Sequence, residues 1–197
     1  MQRFPTPIVV ASRCLGFDAC RYDGERLEAG ILERLHEFVT FVPVCPELEI
    51  GLGVPRPMIR IVTTASGERL MQPESGRDLT GAMREFATNY VQTLAERGVD
   101  GFILKSRSPS CGVRDTKRFA DAETDDHHAM GTGAFAAVVR ERFPDLPCED
   151  ESRLEAADVR SVFLERLYLA AALREGMKSH GGELPSLDAP VPPELID

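Results

Sequence analysis

The segment Gly101–Lys105, GFILK, is a short apolar run that leads into a loop of small residues, Ser106–Gly112. Two earlier runs have the same character, Pro7–Ala11 (PIVVA) and Val39–Val44 (VTFVPV). Runs of this length that lack polar alternation are typical of strands buried on both faces. The sequence therefore predicts a set of buried strands, each followed by a loop.

Longer amphipathic segments separate these strands. Glu25–Phe38, Asp78–Arg97 and Gly133–Phe143 place apolar residues at helical spacing. Met58–Thr64 alternates like a half-buried strand and is expected to pair with Arg69–Gln72 in a hairpin on the sheet edge. Because strands and helices alternate along the chain, the predicted fold class is α/β with a mainly parallel sheet.

The character of the chain changes after residue 148. Ser152–Glu175 has a charged and an apolar face and is predicted to be helical, whereas the last residues are rich in Gly, Pro and acidic side chains. We therefore expect an α/β domain over residues 1–148, C-terminal helices over 149–180 and an extended or mobile tail over 181–197.

The composition is that of an ordinary globular protein. The chain has 197 residues, of which 43% are hydrophobic and 28% charged, and this is enough for one domain with its own core. The five cysteines are an odd number without regular spacing, which argues against a disulfide framework. We expect reduced thiols that serve the core or a chemical role.

The charge balance argues against a protein that coats nucleic acid. The chain has 23 basic and 32 acidic residues and a net charge of −9, whereas phosphate backbones attract basic surfaces. We find no apolar run of the roughly 18 residues that a membrane span needs and no signal-peptide pattern. The expected location is the cytoplasm, and the oligomeric state is not predicted.

Cys14, Cys45 and Cys111 share a position in the predicted architecture. Each lies at, or a few residues after, the end of a buried strand. The carboxyl ends of parallel strands lie on one edge of a sheet, where ligands bind, so the three thiols are expected to converge. The helices that follow are expected to aim their N-terminal N–H groups at the same place. Three cysteines leave one coordination position of a metal group open, which suits catalysis.

A free cysteine is more often a core residue than a ligand. The surroundings of two of the three change this expectation, because prolines and Gly112 build rigid loops around Cys45 and Cys111. Cys20 and Cys148 lack such surroundings and are expected to be structural.

Several segments resemble the thiouracil desulfidase (TudS) family, in the same order over about residues 7–145. The most specific of them is the octapeptide KSRSPSCG. The segments that carry the resemblance are SRCLG (12–16), RYDG (21–24), VPVCPE (42–47) and KSRSPSCG (105–112).

The resemblance implies a Rossmann-like three-layer domain that binds a [4Fe–4S] cluster through three cysteines only, at positions matching Cys14, Cys45 and Cys111. It also implies that Glu47 is a catalytic acid/base and Ser110 a catalytic serine, acting on a small thiolated uracil compound. Taken without the resemblance, Glu47 reads as a helix-start residue and Ser110 as a turn residue. The loop reads CLGF where the family commonly has CLLG, which puts its substrate contacts in question.

Four further polar residues are candidates for substrate binding. Arg21 and Asp23 are expected to contact the base or a phosphate, although an Asp-Gly turn explains them equally well. Lys105 and Arg107 at a strand end suggest an anion site, with a surface ion pair as the alternative.

Two other functions fit parts of the pattern. A non-enzymatic iron–sulfur or zinc protein would normally recruit a fourth cysteine, Cys20 or Cys148. A desulfidase of thiolated tRNA would use the same cluster on a larger substrate, and the acidic balance disfavours it.

Overall fold

The computed structural model describes residues 4–179 and 191–195. This part of the chain forms nine strands and five α-helices. They are β1 (Ile8–Ser12), α1 (Gly30–Leu35), β2 (Thr40–Val44), α2 (Pro46–Glu49), β3 (Arg60–Thr64), β4 (Gly67–Gln72), β5 (Arg77–Asp78), α3 (Thr80–Arg97), β6 (Gly101–Leu104), β7 (Thr116–Phe119), β8 (His127–Gly131), α4 (Ala134–Arg142), β9 (Cys148–Asp150) and α5 (Ala157–Ser179).

Four strands form a parallel sheet in the order β2-β1-β6-β9. The two central strands are almost entirely buried, with residues 9–11 and 102–104 fully excluded from solvent. Strands covered on both faces need apolar side chains on both, which explains the unbroken runs in the sequence. The predicted α/β class with a mainly parallel sheet is confirmed.

Two apolar clusters cover the two faces of this sheet. Val10 and Phe102 point into the cluster formed with α3 and α4, while Val9, Ala11 and Ile103 point into the cluster formed with α1 and α5. Neighbouring residues of a strand face opposite sides, so the same strands serve both clusters. The result is a three-layer arrangement of helices, sheet and helices.

A second sheet, of mixed direction, has the order β5-β4-β3-β7-β8. Ile61 of β3 and Leu70 of β4 are buried in the same cluster as α3. The predicted hairpin of β3 and β4 is present, but it belongs to this sheet and not to the edge of the parallel one. The sequence prediction did not include β7 and β8.

The first helix is shorter than the sequence predicted. The apolar spacing favoured Glu25–Phe38, but α1 spans only Gly30–Leu35. Leu27 instead pairs with Leu15 in a parallel bridge, and its N–H donates to the Cys14 carbonyl at 2.8 Å. A backbone that serves this extended pairing cannot also be helical, so the helix begins after Ala29.

The C-terminal part is integrated into the fold. Strand β9 pairs with β6, so the expected boundary at residue 148 falls inside a strand of the sheet. Phe163, Leu164 and Leu167 of α5 are buried against the sheet. Of the expected tail, residues 181–190 and 196–197 lie outside the described residues, and Leu195 is buried in the same cluster.

Candidate active site

A cavity of about 390 Å³ lies where β1, β2 and β6 end. All three cysteines singled out from the sequence line it, together with acidic, basic and hydroxyl side chains. The lining residues used below are Ser12, Cys14, Cys20, Arg21, Tyr22, Cys45, Glu47, Arg56, Lys105, Arg107, Ser108, Pro109 and Cys111.

Each of the three cysteines reaches the cavity from a different strand. Cys14 follows β1 by two residues, Cys45 follows β2 directly, and Cys111 lies in the loop after β6. Cys45 and Cys111 are 8% and 5% exposed, and Cys14 is partly exposed. The parallel sheet therefore brings together thiols that are far apart in sequence, as its topology requires.

The loop that carries Cys111 is fixed by hydrogen bonds around Ser108. The Ser108 hydroxyl accepts the N–H groups of Ser110 and Cys111 at 3.2 and 3.0 Å. The Ser108 carbonyl accepts the N–H of Gly112 at 2.9 Å and the hydroxyl of Thr116 at 2.8 Å. A loop closed in this way holds the thiol and the neighbouring serine in one arrangement.

The start of α4 packs directly on this loop. The N–H of Ala134 donates to the Pro109 carbonyl, and those of Phe135 and Ala136 donate to the Ser110 carbonyl. The expectation that this helix aims its first N–H groups at the cysteines is wrong, because loop carbonyls already occupy them. A Cβ at Gly133 would lie 2.5 Å from the Ser110 carbonyl oxygen, so only glycine allows this approach.

The thiols of Cys14 and Cys111 lie in a setting that favours their protonated form. Burial, reinforced by Cys45, raises the pKa of Cys14 to about 12. Burial also raises the pKa of Cys111 well above its usual range, against an opposing contact with Ser12. Grouped thiols disfavour a second negative charge nearby. A positively charged metal group is what would stabilise them as thiolates.

Glu47 and Ser110 meet beside the cysteines. The Ser110 hydroxyl donates to Glu47 Oε1 at 3.0 Å. Arg56 Nε donates to Glu47 Oε2 at 2.8 Å, and Arg56 Nη2 lies 2.8 Å from the same oxygen. Ser110 is fully buried, and the Glu47 side chain is 13% exposed. A carboxylate with one oxygen held by arginine and the other facing a hydroxyl can accept and return a proton at a fixed place.

Residues 9–151 match the family described as 2-thiouracil desulfurase. The chain belongs to the 2-thiouracil desulfurase family. A curated relative, the uncharacterized protein YbbK of Bacillus subtilis (strain 168), is 31% identical over 110 residues, or 53% of this chain and 73% of YbbK. A solved structure, the [4Fe–4S]-dependent thiouracil desulfidase TudS, aligns with a TM-score of 0.60 and 25% identity over 80% of this chain and 99% of that one. The family resemblance seen in the sequence is confirmed.

Lys105 and Arg21, two of the residues that the sequence predicts for substrate binding in this desulfurase-family chain, line the cavity. Both form ion pairs with acidic side chains. Lys105 Nζ lies 2.5 Å from Glu151 Oε1. Arg21 binds Asp23 and Glu25, each at 3.0 Å. Asp23 does not line the cavity, and it also accepts the N–H of Glu25 at 3.1 Å. Its observed contacts are those of a turn residue that holds Arg21.

Arg107 is placed differently. Its side chain is exposed and has no ion-pair partner within residues 4–179 and 191–195. Its φ of 58° is in the left-handed region, and its N–H donates to Asp115 Oδ1 at 2.7 Å. Strain of this kind in a non-glycine residue is concentrated at functional sites. Arg107 also lines a second cavity of about 490 Å³, which shares Tyr22, Glu47 and Pro109 with the first.

Two further residues line the cavity. The sequence predicts a structural role for Cys20, which is buried at the cavity with its carbonyl oxygen 3.9 Å from the Cys45 sulfur. Arg56 is not among the residues that the sequence predicts for the site, and it lies between Pro55 and Pro57. Flanking prolines had singled out Cys45, and the same signal identifies Arg56.

Two features are absent from residues 4–179 and 191–195. These residues contain no group of three His, Cys, Asp or Glu side chains close enough to share one metal ion. In this part of the chain there is also no helix with the length and apolar character of a membrane span.

Proposed function

We propose that this chain is a [4Fe–4S]-dependent desulfidase that removes sulfur from a thiolated uracil, as free base, nucleoside or nucleotide, and yields uracil and sulfide. The observation that carries the proposal is that Cys14, Cys45, Cys111 and Glu47 line one cavity, with the buried Ser110 hydroxyl bonded to Glu47 at 3.0 Å. Family membership and the likeness to a [4Fe–4S]-dependent thiouracil desulfidase support the same reading.

The residues present fit the cluster by their chemistry. Thiolates are the ligands of iron–sulfur clusters, and the three cysteines would hold three irons of a cubane, each thiolate at a separate iron. When bound, such a cluster supplies an iron with an open position, a soft Lewis acid for a thiocarbonyl sulfur. Cys148 does not line the cavity, so it is not part of this ligand set.

Glu47 and Ser110 would carry the proton transfers. Glu47 Oε1 takes a proton from a water that attacks the ring carbon bonded to sulfur, and Ser110 orients that water or the substrate. A carbon–oxygen bond forms and the carbon–sulfur bond breaks, so one water and one thiouracil become one uracil and one hydrogen sulfide. No electron acceptor is needed, because carbon keeps its oxidation level.

The two adjoining cavities suit a small molecule. Their volumes of about 390 and 490 Å³ lie within the usual range for ligand sites, roughly 300–1,000 Å³. We assign substrate contacts to Arg21, Lys105 and Arg107, with Asp23 acting through Arg21. The net charge of −9 disfavours a nucleic acid as partner.

The test is turnover under anaerobic conditions. Protein purified without air and loaded with iron is incubated with 4-thiouracil or 2-thiouracil, with the nucleosides and nucleotides as further substrates. Sulfide release and loss of the thiocarbonyl absorbance are measured together. Equal amounts of sulfide and uracil are the expected result, whereas an iron-loaded protein that releases no sulfide from any of them would refute the function.

One observation favours a second candidate, a non-enzymatic iron–sulfur protein. Cys20 lines the same cavity as the other three cysteines, and four thiols would complete a cluster with no open position. The iron content of single Cys→Ser variants separates the two, since the desulfidase needs Cys14, Cys45 and Cys111 but not Cys20.

A further inference from the structure

Arg56 is a cation placed in the wall of the cavity. Its side chain is only 5% exposed, and it lines the cavity together with Glu47 and Cys20. Removing a guanidinium from water is costly unless charged and polar partners replace the water. The role of Arg56 should therefore be visible in the groups that replace water around its guanidinium.

The contacts of Arg56 join three separate segments. Nε donates to Glu47 Oε2 at 2.8 Å, and Nη2 lies 2.8 Å from the same oxygen in an ion pair. Nη1 donates to the carbonyls of Cys20 and Gly53, at 3.0 and 3.1 Å. The backbone N–H of the same residue donates to the Tyr22 carbonyl at 2.8 Å. The residue thus links the helix after β2 to the Cys20–Tyr22 segment, which also lines the cavity.

This arrangement assigns the two oxygens of Glu47 to different tasks. Oε2 is held by Arg56, and Oε1 is left for the Ser110 hydroxyl at 3.0 Å. Contacts at both oxygens fix the orientation of the carboxylate plane. Lysine carries one compact ammonium group and cannot bind the carboxylate through two N–H groups while reaching both carbonyls.

We propose that Arg56 is a positioning residue for the desulfidase reaction, which makes this inference dependent on the proposed function. It fixes Glu47 so that Oε1 faces Ser110 and the cavity, and it holds the Cys20–Tyr22 wall at a set distance from that carboxylate. It does not touch the reacting atoms. Its effect is on the rate of the chemical step rather than on substrate affinity.

The experiment compares R56Q and R56K with wild type and with R174Q. Arg174 is a matched control, because it also forms a buried two-contact pair, with Asp100 at 2.8 and 3.0 Å, and binds a backbone carbonyl, that of Thr6. Asp100 and Thr6 precede β6 and β1, so this pair lies at the opposite edge of the sheet from the cysteines.

Activity per bound iron is the first readout. We expect R56Q to lower kcat by about 10- to 100-fold with KM within about threefold, since small misplacements of a catalytic group cost up to about 100-fold. Guanidinium at low, non-denaturing concentration should restore part of the rate to R56Q. R56K should remain well below wild type. The control R174Q should lose thermal stability and keep its kcat.

Hydrogen exchange of the metal-free proteins is the second readout and needs no activity. In R56Q, exchange should be faster in residues 20–24 and 47–52, while R174Q should leave these segments unchanged. A wild-type kcat in R56Q overturns the inference, and so does a loss of activity that only follows a loss of iron. If wild type releases no sulfide, the proposed function fails instead. The exchange result still tests whether Arg56 links the helix after β2 to the Cys20–Tyr22 segment.

Discussion

The Ser110 hydroxyl lies 3.0 Å from Glu47 Oε1, across 63 positions of sequence. The contact joins the loop after β6 to the helix after β2, and cysteines flank it on both sides, since Cys45 precedes Glu47 by two residues and Cys111 follows Ser110. The proposed proton-transfer group and the proposed cluster ligands therefore share the same loops. Any change that moves one of them displaces the other.

Removing either partner of this contact should reduce turnover and leave the cluster in place. We expect E47Q and S110A to lower kcat by about 100- to 10,000-fold, the range for loss of a general acid or base. Iron and sulfide content per chain should equal those of wild type. E49Q is the control, because Glu49 lies in the same short helix and pairs with Arg13 at 3.1 Å. Full activity in E47Q would exclude the proposed role.

The five cysteines should separate into two groups by iron content. C14S, C45S and C111S are each expected to lose most of the iron, because each removes one of three protein ligands. C20S and C148S should keep it, and C148S is the control for removing a half-buried thiol outside the cavity. Iron analysis after anaerobic reconstitution measures this directly. Iron loss in C20S would favour the four-thiol alternative.

The raised pKa of Cys14 makes the reactivity of the metal-free protein depend on pH. An ordinary thiol has a pKa near 8.5, so its alkylation rate levels off above about pH 9.5. Because the pKa of Cys14 is raised to about 12, its alkylation should keep rising about tenfold per pH unit between pH 8 and 10. Mass spectrometry of the Cys14 peptide gives the rate, with a free thiol as reference. A plateau below pH 9.5 would contradict the assignment.

The same shift has a consequence for stability. A thiol whose pKa is higher in the folded than in the unfolded chain favours folding at neutral pH, and this contribution is lost as pH rises above the unfolded value of about 8.5. The free energy of unfolding of the metal-free protein should therefore fall between pH 9 and 11. The decline should be weaker in C14S.

A pair of glycine variants tests the packing of α4 on the loop. A Cβ at Gly133 would lie 2.5 Å from the Ser110 carbonyl oxygen, so G133A should cost about 1–3 kcal/mol through overpacking and displace Ser110. A Cβ at Gly81 in α3 would have no heavy atom within 4 Å. G81A should therefore stabilise the folded protein by about 0.5–1 kcal/mol, because alanine favours helices. Urea unfolding of both variants gives the comparison. Equal effects would contradict the proposed role of Gly133.

The parallel sheet and its strand ends were predictable because a buried strand appears in the sequence as an uninterrupted run of apolar residues. Strands covered on both faces are continuously apolar, and the predicted runs match the central strands β1 and β6 closely. The third run matches β2, an edge strand that is only partly buried. Strand β7 was not predictable in the same way. Its sequence, Thr116–Phe119, is TKRF, and buried Arg118 is balanced by a contact with Glu68 at 2.5 Å that only the folded chain provides.

A site residue was predictable where it directly follows a strand. It was less predictable where its position depends on an ion pair with a residue that is distant in sequence. Cys45 follows β2, and the topology alone carries it to the cavity. Cys20 follows no strand, and nothing local distinguishes it from a core thiol. Lys105 forms an ion pair with Glu151, as the alternative interpretation of its sequence position described. The partner could not be predicted, because two residues that pair across a long stretch of chain share no local sequence pattern.

Helix α5 begins beyond the family segment, yet it covers one face of the central strands. Phe163, Leu164 and Leu167 lie over Val9 and Ile103, which are fully buried. A fragment that stops at residue 151 would expose this apolar surface to water and is expected to aggregate. Expression of the desulfurase segment by itself therefore requires the chain to continue at least through α5. The residues that match the family, 9–151, are fewer than the residues needed for folding.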